Sequence, residues 1–97
     1  MLPLSEETAK KIAALFPESL RDEVRQLLEI ECGDNIPFCE NADEFSMERI
    51  RFAALKVSEG RLEKLLEAVI LAQTDWRDLL VSADFAEDVN AHRRWQP

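Results

Sequence analysis

The chain reads as an all-α protein, a compact bundle of five to six short helices with partly orthogonal packing, and three observations lead there. Leu, Ala, Glu, Arg and Lys dominate a 97-residue sequence with only two glycines, Gly33 and Gly60, so the composition favours helix nearly everywhere. No segment sustains the apolar–polar alternation of a half-buried strand. Apolar residues recur instead at spacings of three and four, which line one side of a helix. The length fits one domain over residues 1–97, and connections this short make some helices cross steeply rather than run parallel.

The first helix is expected over Glu6–Phe16, with Ser5 as its cap, Ala9, Ile12, Ala13 and Phe16 on one stripe, and Pro17 as its stop. Ser19 followed by Asp22 predicts a capping box for the second helix, which turns Leu20, Val24, Leu27 and Leu28 inward. Gly33 is placed to close it in the left-handed conformation. Asp34 to Ala42 reads as the main loop, because Asp34-Asn35 favours a turn and Pro37 disfavours helix at Ile36.

Asn41 followed by Glu44 predicts the start of a third helix reaching about Val57, with Met47, Ile50, Ala53, Ala54 and Val57 toward the core and Arg49, Arg51 and Lys56 on the remainder. Ser58 to Gly60 predicts a break, since Gly weakens a continuous helix. A fourth helix then carries Leu62, Leu65, Leu66, Val69 and Ala72 on one stripe, broadened by Ile70. Thr74-Asp75 signals a fifth, with Trp76, Leu79, Leu80 and Ala83 at i, i+3, i+4 and i+7. A last helix is expected from about Ala86 to Trp95, placing Val89, His92 and Trp95 on a common side with Arg93 and Arg94 near its negative end.

Charge is distributed unevenly. Residues 1–48 carry 12 Asp/Glu against 4 Lys/Arg, whereas residues 49–97 carry 8 of each, for a net charge of −8. Gln26 to Glu48 holds seven acids, both cysteines and no Lys or Arg. Such a surface attracts basic groups and repels nucleic acid and anionic lipid. The apolar stretches fall short of the roughly 20 residues that cross a bilayer, and nothing near Met1 resembles a secretory leader, so the expected compartment is the cytoplasm.

The run ERIRFAALKVSEG from Glu48 to Gly60, with LEKL at 62–65 and TDWRDLL at 74–80, resembles small bacterial all-helical proteins with no assigned activity. The likeness spans about residues 48–95 and implies a cytoplasmic helical domain; it implies no cofactor and no catalytic residue.

Chemical motifs are sparse. Cys32 and Cys39 stand too far apart for a CxxC pair, and Cys32 at a helix end meets a dipole that raises its thiol pKa. Pro37 and Phe38 break the spacing that a calcium loop needs. His92, the sole histidine, lies on a mostly apolar stripe where no partner for acid–base work can be placed. The reading is a non-enzymatic protein-interaction module with no cofactor or metal, one that binds neither nucleic acid nor membrane and recognises a protein partner or a second copy of itself. Its candidate contact residues are Glu29, Glu31, Asp34, Phe38, Glu40, Trp76, Arg77 and Trp95. Phe45, Phe52, Leu55, Leu71 and Val81 exceed what one narrow stripe per helix buries and suggest a homodimer seam. Two alternatives stay open. One is an inhibitor or immunity-type protein whose acidic face blocks a basic nucleic-acid-binding site; the other is a small metal- or thiol-dependent enzyme built on Cys32, Cys39 and His92.

Overall fold

Ser5 opens α1 (Glu6–Leu15) as the sequence predicts, its Oγ accepting from the Thr8 amide at 3.2 Å. The computed structural model describes residues 4–33 and 43–97, and every regular element among them is helical. The buried side of α1 is Thr8, Lys11, Ile12 and, at its cap, Phe16, whereas Ala13 faces out. The stripe is rotated from the expected one because Lys11 is inside. Its ammonium lies 4.7 Å from the Phe52 ring centre and 5.4 Å from that of Trp95, and donates to the Trp95 carbonyl at 3.1 Å.

At the corner after Phe16 the expected capping box does not form. Pro17, extended at φ −66° and ψ 157°, is itself the cap of α2 (Glu18–Gln26), without a side-chain hydrogen bond. Proline presets the backbone for a helix start and has no amide to satisfy, which leaves Ser19 within the first turn. Arg21 ties the corner together, donating from Nε to the Phe16 carbonyl and from Nη2 to that of Ala13 at 3.1 and 3.2 Å.

α2 continues into a π-helical turn at Leu27–Glu31. Gly33 does not take the left-handed conformation there. It serves close approach instead, since a Cβ would lie 2.8 Å from the Glu29 carbonyl oxygen. The carbonyls of Leu28 and Cys32 are taken by Arg51, whose Nε donates to both, at 3.1 and 3.0 Å. The segment 34–42, with the expected loop, Asp34, Phe38, Cys39, Glu40 and the Asn41 cap, lies outside the described residues.

α3 (Glu44–Ser58) is capped by Asp43, whose carboxylate accepts from the Ser46 amide at 2.8 Å. This hydrogen bond, with a further one from the Ser46 side chain, holds the Asp43 pKa below the usual aspartate value. All residues from Ile50 to Leu55 are at most 2% exposed. A helix buried on six consecutive positions is covered on all sides, and α3 is therefore the hub, with Ala53 and Ala54 allowing close neighbours. This corrects the expectation that Arg51 belongs to the polar remainder. It also removes Phe52 and Leu55 from any dimer seam, because both are core.

α3 ends in two left-handed residues, Glu59 (φ 53°) and Gly60 (φ 77°). Gly60 is required twice over, since a Cβ would also meet the Leu15 carbonyl oxygen at 2.6 Å. α4 (Leu62–Ser82) then spans the two helices expected here, interrupted at Asp75 (φ −157°, ψ 93°). Thr74 does not cap the second half. Its hydroxyl donates back to the Ile70 carbonyl at 2.9 Å, and Asp75 Oδ1 accepts from the amides of Arg77 and Asp78 at 3.1 and 3.4 Å. The start signal is real, shifted by one residue.

α4 closes with the Phe85 amide bonded to the Leu80 carbonyl and the Asp84 amide to that of Val81, a Schellman arrangement in which Asp84 (φ 63°) occupies the usual glycine position. Lys56 donates to the Ala83 carbonyl at 2.8 Å, and Arg49 Nη2 to those of Phe85 and Ala86 at 2.5 and 3.2 Å. The expected helix from Ala86 shrinks to one turn, α5 (Ala91–Arg94). Asp88 accounts for part of this. Its carboxylate accepts from the Asn90 amide and pairs with Arg94, so an Asx turn replaces the helix's first residues.

Candidate protein-binding surface

Lys11, Arg21, Arg49, Arg51 and Lys56 all donate to backbone carbonyls. Arg21, Arg51 and the pair Arg49 and Lys56 satisfy the open ends of α1, the π turn and α4 respectively, where the helix dipole is negative, and Lys11 does so just past α5. Ion pairs among the described residues, including Lys10–Glu7, Lys64–Glu59, Arg61–Glu63 and Arg94–Asp88, are exposed contacts. Every described Asp and Glu is exposed or half-exposed. The protein thus anchors five of its cations on its own main chain while presenting its carboxylates to solvent.

The candidate contact residues do not form one cluster. Glu29 is half-buried; Glu31 is exposed and bound to α4 by Gln73, whose Nε2 donates to the Glu31 carboxylate at 3.1 Å and to its carbonyl at 2.8 Å. Glu48, from the same acidic stretch, sits beside His92 at the other end of the chain. Asp34, Phe38 and Glu40 lie outside the described residues. Trp76 is half-buried against the core, with the exposed Arg77 guanidinium 5.4 Å from its ring centre. Trp95 packs among Phe52, Phe85 and Lys11. It is half-buried, packed against the core.

Compared with known families, with curated proteins and with solved structures, the chain finds no match.

His92 is enclosed. It is 0% exposed, with Phe45, Phe52 and Phe85 rings 5.0, 5.6 and 6.3 Å away, and neither ring nitrogen makes a well-aligned hydrogen bond among the described residues. Burial pushes its pKa below the ordinary histidine value, with Glu48 and the nearby Val89 main chain pulling upward and Arg49 and Arg93 downward. Cys32 is likewise buried, and among the described residues no group of His, Cys, Asp and Glu is arranged to hold a metal ion. No helix among them is long and apolar enough to cross a membrane.

The surface has an apolar element that the sequence reading assigned to the core. Leu66 and Ile70 are 43% and 61% exposed, and Ile30 on the π turn is 56% exposed. A groove of about 250 Å³ runs between the two elements, lined by Glu23, Gln26, Leu27, Ile30, Glu31 and Leu66. The signal lay in the width of the α4 stripe. Leu62, Leu65, Leu66, Val69, Ile70 and Ala72 spread over more of the helix than one neighbour covers, and the excess is what solvent sees. Of the expected seam, Val81 alone is prominent, at 65% exposure, while Phe45 and Leu71 are half-buried.

Proposed function

We propose that this chain is a non-enzymatic protein-interaction module that receives a basic partner protein on its acidic surface. The observation that carries the reading is the disposition of charge. The chain carries a net charge of −8, every described Asp and Glu is exposed or half-exposed, and five of the basic side chains are anchored on main-chain carbonyls. A field of one sign speeds encounter with an oppositely charged protein and discourages nucleic acid and anionic membranes. The state of His92 supports the non-enzymatic part, because a general acid or base must reach a reacting atom and this imidazole is sealed among aromatic rings.

Capture by the immobilised full chain, followed by identification of the bound proteins and by association kinetics at increasing salt, tests this reading. The expected partners are basic. Their association rates should fall about tenfold or more between roughly 0.05 and 0.3 M salt, and neutralising Glu23→Gln/Glu67→Gln should slow them at low salt. Partners that bind at a salt-independent rate, or that bind the neutralised variant equally fast, would overturn it.

A further inference from the structure

The interaction-module reading says what charge the partner carries; the groove between the π turn and α4 says what shape it has. We infer that this groove docks an amphipathic helix of a partner protein, whose Leu, Ile, Met or Phe side chain enters between Leu27, Ile30 and Leu66 and whose flanking Lys and Arg meet the acids on the rim. The inference rests on the reading above and narrows it to one site.

The floor is apolar and open to solvent. Leu27 and Ile30 come from one side and Leu66 from the other, and Ile70 extends the strip one turn along α4. Leu66 and Ile70 stand at i and i+4, the spacing with which one helix presents anchors to another. The walls are held in place. Gln73 clamps the π turn to α4 through two hydrogen bonds to Glu31, and Arg51 pins the same turn from inside through the Leu28 and Cys32 carbonyls.

The rim is of one sign. Glu23 and Glu31 are the charged residues lining the groove, whereas Glu63 is paired with Arg61 and Glu67 lines a neighbouring groove with Lys64. At about 100° per residue, Arg25 falls roughly 160° from Glu23 and Leu27, and Lys64 about 160° from Leu66, so these two cations point away from the groove. A volume of about 250 Å³ is below the range of about 300–1,000 Å³ typical of small-molecule sites and suits a side-chain anchor. A second copy fits poorly, because a two-fold axis would set each acidic rim against its twin.

The test uses the full chain and two labelled synthetic peptides of identical Leu, Lys and Arg composition. One has Leu at i, i+4 and i+7 on a helix; the other is permuted to destroy that stripe. Three single variants at exposed positions accompany the wild type, Leu66→Lys and Ile70→Lys in the strip and Val81→Lys outside it, all adding the same charge. Circular dichroism checks that each is folded. In anisotropy titrations at low salt, the ordered peptide should bind about tenfold more tightly than the permuted one. Leu66→Lys or Ile70→Lys should weaken it about tenfold and Val81→Lys less than about twofold. If both peptides bind alike and the three variants lose affinity equally, the groove is refuted while attraction to basic chains survives. If neither peptide binds, the groove and the interaction module both fail. If light scattering shows a dimer that Leu66→Lys dissociates, the occupant is a second copy and the inference is overturned.

Discussion

Replacing His92 with Phe should flatten the stability of this protein between pH 7.5 and 5.5. The imidazole is wholly buried, edge-on to three phenylalanine rings, and burial depresses its folded-state pKa. In the unfolded chain it takes up a proton near pH 6.5. Stability contributed by the neutral buried form is therefore complete above that value and is lost as pH falls from 6.5 toward the depressed folded value. For one proton the loss reaches up to about 1.4 kcal/mol at pH 5.5, or roughly 5–10 °C in Tm for a domain this size. Glu48 and the Val89 main chain oppose the depression, whereas Arg49 and Arg93 reinforce it. Asp43 and Asp88 have depressed values too, from amide hydrogen bonds and, for Asp88, also Arg94, so their contributions are lost only at lower pH. Urea titrations of wild type and His92→Phe across this range isolate the imidazole. Parallel curves would refute the reasoning, and so would a wild-type imidazole that titrates by NMR at or above pH 6.5, a measurement needing no variant.

Two further outcomes are expected. Arg51→Met keeps an apolar stem but removes the two charged hydrogen bonds to the Leu28 and Cys32 carbonyls, which should cost about 3 kcal/mol in denaturant unfolding and raise amide exchange in residues 27–32. Asp84→Gly relieves a left-handed residue at the end of α4 and should raise stability by about 1 kcal/mol, read as a higher thermal midpoint.

Periodicity made the helices legible. Ser5, Ile12, Val24, Ile50, Leu65, Leu79 and Leu80 stand where spacings of three and four put them, because burying a stripe is what holds short helices together. The caps were less legible. Asp43 took the role read into Asn41, which lies outside the described residues, and Asp75 that read into Thr74; adjacent Asx and hydroxyl residues can each cap, and tertiary packing picks among them. Lys11 and Arg51 were hidden by the habit of sending charge outward. Their stems line the core while their heads reach carbonyls distant in sequence, and no local pattern encodes those partners. Of the candidate contacts, Glu31 stands at the groove, and Trp95 is half-buried against Phe52 and Phe85. Leu66 and Ile70 went unnoticed as surface because sequence shows an apolar stripe but not how much of it a neighbour covers.

The wrapping of α3 on every side bears on how the protein assembles. Its walls come from α1, the π turn, α4 and the C-terminal turn, that is, from before and after it in the chain. Residues 50–55 therefore gain a dry environment only once both flanks have arrived, and no fragment ending within α3 or α4 holds a complete core. Folding should then be all-or-none. By the same token, separate pieces cut at the Glu59–Arg61 joint should each be unstructured and should recover helicity when mixed.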